Sequence, residues 1–134
     1  MKTAKFLLIG LFVFTAFAHV NAQSNEISSE IISALDEGNA ADINTNLGAN
    51  VELVIGNKND VFSKQQASGI INDFFRTNKV SSFQVIHKGN KDAASFAIGT
   101  LKTSGGSFRV YVLTRKQGSA PLIQQLRIES SNDW

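Results

Sequence analysis

The sequence predicts an α+β fold, with N-terminal helices packed on an antiparallel sheet supplied mainly by the C-terminal half. Three observations carry this expectation. Apolar residues recur at helical spacing early in the chain, four later segments alternate with period two, and the links between those four are short enough to be hairpins.

Residues 1–22, MKTAKFLLIGLFVFTAFAHVNA, stand apart from that fold. Lys2 and Lys5 give a positive start, Phe6 to Ala18 form an apolar run of 13 residues, and Val20 and Ala22 place small residues before a cut near Ala22–Gln23. This is the order of a secretory signal peptide. The run is shorter than the about 20 residues of a membrane-spanning helix, so the mature chain is expected in the periplasm or outside the cell, with no membrane anchor. No cysteine at the cut could carry a lipid.

Cleavage leaves residues 23–134 as one domain, a length that suits a single core. Of the 13 bases, Lys2 and Lys5 leave with the signal, so 11 face 11 acids in an interspersed pattern. Nucleic acid is therefore not an expected partner. The chain has no cysteine, which rules out disulfides and thiol chemistry, and His87 is the one histidine of the mature chain. A histidine or thiolate metal centre is excluded on that ground, and no cofactor is expected.

The elements follow in order. Ile27, Ile31, Ala34 and Leu35 form a helical stripe stopped by Gly38. Asn39 caps a short second helix carrying Ile43 and Leu47 and closed by Gly48. VELVI, residues 51–55, reads as a strand, GNKN as a turn, and 60–62 as a short returning strand. Ser63 and Gln66 fit a capping box for a third helix, whose apolar face is Ala67, Ile70, Ile71, Phe74 and Phe75. Strands are expected over 80–88, 94–103, 107–115 and 121–129 as an antiparallel meander, with Pro121 tolerated at a strand start.

Alternation sorts the meander into two faces. Phe83, Val85 and His87, Phe96, Ile98 and Thr100, Phe108, Val110 and Val112, and Leu122, Gln124, Leu126 and Ile128 are expected beneath the helices. Ile86, Leu101, Arg109, Tyr111, Leu113, Ile123 and Arg127 are expected on the opposite face, which is more apolar than a wetted surface requires.

The candidate chemistry is sparse. Histidine is the residue type suited to proton transfer near neutral pH, yet no carboxylate shares the expected face of His87. Ser63 and Ser68 lack a histidine and acid arrangement. GTLKTSGG reads as a hairpin rather than a phosphate loop. Asp36 and Glu37 in the last turn of the first helix form no metal site, and Asp73 lies on a helix flank.

Two helices, a hairpin, a third helix and a four-stranded meander resemble the nuclear transport factor 2-like fold, a cone whose curved sheet wraps around helices. The resemblance spans residues 25–129. More narrowly, ALDEGNA, KQQASGIINDFF, GSFRVYVLTRK and LIQQLRIE look like the small secreted bacterial family called domain of unknown function 4783. A cystatin-like roll is the alternative fold. The wider fold includes isomerases and dehydratases with acids and histidines in the cone, and also binding and dimerisation modules; the expected interior here lacks the carboxylate of the enzymes.

Three functions compete. The first is a non-catalytic exported module that holds a small apolar ligand or peptide at a mouth lined by Phe62, Phe74, Phe75, Phe83, His87 and Gln124. The second is a homodimer or protein-interaction module using Arg109, Tyr111, Ile123 and Arg127. The third is an acid–base enzyme with His87 as base.

Overall fold

The computed structural model describes residues 26–131; the signal-peptide segment lies outside the described residues. Ser28 starts α1 (Ser29–Glu37) by accepting the Glu30 N–H on its hydroxyl, and Gly38 ends it in the left-handed conformation at φ 67°. Glycine is needed there twice over, because a Cβ would also stand 2.8 Å from the Val80 side chain. Asn39 caps α2 (Ala40–Thr45) by accepting the Asp42 N–H. This helix is shorter than expected. Leu47 opens β1 (Leu47–Ile55), and Gly48 lies within that strand rather than closing a helix.

A tight turn leads into β2 (Lys58–Ser63). Ser63 then caps α3 (Lys64–Thr77), with Ser63 and Gln66 forming the expected capping box. The meander follows as β3 (Val80–Lys91), β4 (Ala94–Thr103), β5 (Gly106–Gln117) and β6 (Ala120–Ser130). All six strands join one sheet in the order β2-β1-β6-β5-β4-β3. Hairpin and meander meet where β1 runs parallel to β6, pairing Leu53 with Leu126 and Ile55 with Ile128. Periodicity gave no indication of that join, which depends on partners more than 70 residues apart.

The core fills the concave side. Ile31 and Leu35 from α1, Ile43 from α2 and Ile71 from α3 pack with Leu53, Leu101, Val110, Leu126 and Ile128 of the sheet, all at most 1% exposed. Each such side chain contributes about 1.5–3 kcal/mol by leaving water.

Three extra residues re-aim the strands. Ser81 and Ile86 are unpaired in β3, and Gln124 in β6. A one-residue slip exchanges the two faces of a strand, and this corrects several sequence expectations. Past Ile86, His87 pairs with Ile98 and lies on the convex face, not beneath the helices. Past Gln124, Ile123 pairs with Thr114 and is fully buried in the core, while Leu122 pairs with Arg115 outside. In β4 the expected phase is reversed throughout: Ala97 and Leu101 are buried, and Phe96, Ile98 and Thr100 face outward.

A carboxylate holds one backbone N–H on each edge strand of the sheet. On β3, the Phe83 N–H donates to Asp36 Oδ1 at 2.9 Å; on β2, the Val61 N–H donates to Asp60 Oδ1 at 2.7 Å. Asp36 stands in the last turn of α1, where the helix dipole disfavours an acid. Its bond to β3 gives it a role there, since an unpaired edge is a template for unwanted strand addition.

Candidate functional site

The six residues expected at a cone mouth are dispersed. Phe75 and Phe83 belong to the core cluster. Phe74 meets Phe75 edge-on at 5.0 Å and Phe108 at 5.1 Å, so these rings occupy one end of the cone themselves. Phe62 is half-buried at the edge of the sheet. Gln124 sits at its bulge against Gly48, with Nε2 buried and without a hydrogen-bond partner. His87 is exposed on the other side of the sheet.

The convex face is where polar and aromatic groups converge. Pairing register aligns two rows across it. One runs His87, Ile98, Tyr111, Arg127 and Val54 from β3 to β1; the adjacent row runs Gly89, Phe96, Leu113, Gln125 and Glu52. Phe96 links the rows: its ring stacks on Tyr111 with centroids 6.1 Å apart and tilts against His87 at 5.5 Å. Gly89 makes room for this, since a Cβ there would lie 2.8 Å from the Phe96 ring. Ile86, pushed out by its bulge, is 57% exposed beside them.

Charges of both signs border these rows. Arg109 pairs across the strands with Glu129, and Arg127 Nη2 reaches Glu129 Oε2 at 3.2 Å. Arg109, Tyr111 and Arg127 thus share the face on which they were expected, and Ile123 does not. The row containing His87 offers it no carboxylate that could orient the imidazole. Among the described residues, no group of three or more histidines, cysteines or acids could hold a metal.

The outward placement of Phe96 and Ile98, expected beneath the helices, had a signal in the sequence. The turn at Ser104–Gly105 closes on a Thr103–Gly106 pair. Counting back from it sets Leu101 opposite Phe108, so Leu101 takes the core side and Phe96 and Ile98 the other.

A family model described as "Domain of unknown function (DUF4783)" matches residues 28–129. Two solved proteins of that description align closely. One from Bacteroides fragilis is 40% identical, covering 79% of this chain and 100% of its own, and one from Bacteroides ovatus is 37% identical, covering 80% and 97%; both have a TM-score of 0.75. At the level of fold alone, a protein with NTF2 in its name aligns at 15% identity and TM-score 0.60, over 74% of this chain and 90% of its own. A domain from Nostoc punctiforme described as having a cystatin-like fold aligns at 9% identity and TM-score 0.60, over 76% and 71%. None of the curated proteins matches. The curved six-stranded sheet with its helices is a nuclear transport factor 2-like arrangement.

Proposed function

The chain belongs to the DUF4783 family of domains of unknown function, and from that premise we propose that it is an exported, non-catalytic module that pairs with a second copy through the convex face of its sheet. The observation that carries this reading is the pair of rows in which half-buried Phe96, Ile98, Tyr111 and Leu113 lie side by side, with no element over them among the described residues. Tyr and Arg are the side chains that most often dominate interfaces, and Tyr111 here stands between Ile98 and Arg127.

Size and charge favour a second copy as the occupant. Five strands about 4.8 Å apart, with ten residues each at about 3.3 Å, make a face of roughly 24 by 33 Å. That is close to the about 800 Å² per partner of a standard interface. Arg109, Arg115 and Arg127 share the face with Glu52 and Glu129. A two-fold rotation can therefore set bases against acids, as a self-complementary patch requires. Export rests on the order of charges, apolar run and small residues in 1–22, and the described residues contain no helix long and apolar enough to cross a membrane.

Sedimentation equilibrium of residues 23–134 over a concentration series tests the proposal. The wild type is expected at twice the monomer mass, and Tyr111→Asp at the monomer mass with an unchanged circular-dichroism spectrum. A folded Tyr111→Asp protein that still dimerises, or a wild type that stays monomeric throughout, refutes it.

A further inference from the structure

On the opposite side of the sheet, a groove of about 560 Å³ runs between α3 and β2, within the size range of small-molecule sites. It continues toward the cone end into a second hollow of about 270 Å³, and Lys58, Ile70 and Asp73 line both. Phe62 and Ile70 give the first part an apolar wall; Ile55 and Phe74 do the same for the second.

Gly69 is the unexplained feature of this groove. It stands in the interior of α3, where glycine costs stability relative to alanine. It has no left-handed φ to require it, and nothing lies within 4 Å of the place a Cβ would occupy. Neither backbone conformation nor packing asks for glycine here. An open groove wall does, because any larger side chain at residue 69 would project into the space. Local rules broken without a structural gain mark functional positions.

The charges select the class of ligand. Asp73 is engaged by Arg76 Nη2 at 2.6 Å, which leaves the Lys58 ammonium as the cation at the junction of the two hollows. An added peptide strand is disfavoured, because the Val61 N–H is already held by Asp60 and the Ser63 N–H by Gln66. Recognition must come from side chains. We propose that this groove binds an amphiphilic monocarboxylate, a fatty-acid-like molecule whose chain lies along Phe62, Ile70 and Phe74 past Gly69 and whose carboxylate meets Lys58.

The test is titration of residues 23–134 with dodecanoate below its micellar concentration, followed by amide chemical shifts. Saturable shifts confined to the segments around Lys58 and Gly69–Phe74 are expected. Lys58→Met should weaken dodecanoate up to about five-fold, as loss of an exposed ion pair does, and leave dodecanol unaffected. Gly69→Leu should abolish binding while melting no lower than wild type, which separates blockage from unfolding. No saturable binding of dodecanoate by the wild type, equal binding by a folded Gly69→Leu protein, or dodecanol bound as tightly as dodecanoate would overturn the proposal. Tyr111→Asp should bind dodecanoate normally, so failure of the dimer reading and failure of this one are distinguishable.

Discussion

Replacing Gly99 by alanine should destabilise the domain, against the usual sign for a glycine in a strand. Exchange to alanine in a regular element ordinarily gains about 0.5–1 kcal/mol through the unfolded chain. At Gly99, however, the new Cβ would stand 2.6 Å from Phe83 Cε1, from Phe83 Cζ and from the Gln84 carbonyl oxygen. Gly99 pairs with Val85 on one side and Val110 on the other, so it lies in the middle of the sheet and the Phe83 ring folds over it. Carbon atoms pack at about 3.5–4.0 Å, so ring and strand must each retreat. Phe83 is 6% exposed and has little room to do so. Overpacking of this kind costs about 1–3 kcal/mol, leaving a net loss of up to about 2.5 kcal/mol after the conformational gain. Urea unfolding of residues 23–134 should show a lower midpoint with an unchanged slope. In a Phe83→Leu background the penalty should shrink, because part of the clash is with the ring. A Gly99→Ala protein at least as stable as wild type would refute the reasoning.

Leu126→Ala should cost about 2–5 kcal/mol, read as a urea midpoint, since Leu126 is fully buried between Leu53 and Val112. Ser63→Ala removes half of the capping box of α3 and should cost about 1 kcal/mol in thermal unfolding. Asp36→Ala frees the Phe83 N–H and should cost roughly 1 kcal/mol, with faster amide exchange at Phe83. Gly69→Ala is the counterpart of the Gly99 change: with nothing near its Cβ, it should raise the unfolding free energy by about 0.5–1 kcal/mol, read as a higher urea midpoint.

Helices were legible because their signals are local. Ser63 with Gln66 and Gly38 at a helix end each state a boundary within four residues. Strand existence was legible for the same reason, and faces were not. SFAIGTLKT is apolar in both phases, so alternation alone cannot choose between Phe96–Ile98 and Ala97–Leu101. Cross-strand packing chooses, and the small residues Ala97 and Gly99 take the side where Phe83 crowds the backbone. The bulges at Ile86 and Gln124 carry no turn residue or glycine to announce them. They displaced His87, Ile123 and Leu122 from their expected faces together, and the mouth built on His87 and Gln124 dissolved with them.

The two edges and the two faces of this sheet are treated differently, and that difference constrains how the protein can associate. Asp36 and Asp60 occupy N–H groups that an added strand would need, and a backbone donor already held by a carboxylate must exchange one bond for another to accept a partner. Strand addition at either edge therefore has one free donor fewer to gain. The convex face has no such protection. Its rings are arranged around Phe96 by packing within one chain, with Gly89 cleared beneath them, so a flat partner meets side chains that are already ordered and loses less conformational entropy on docking. Association by face, through side chains, is the route these residues leave open, and for the proposed dimer it predicts that Phe96→Ala, which loosens both Tyr111 and His87, weakens self-association more than Ile86→Ala at the exposed edge.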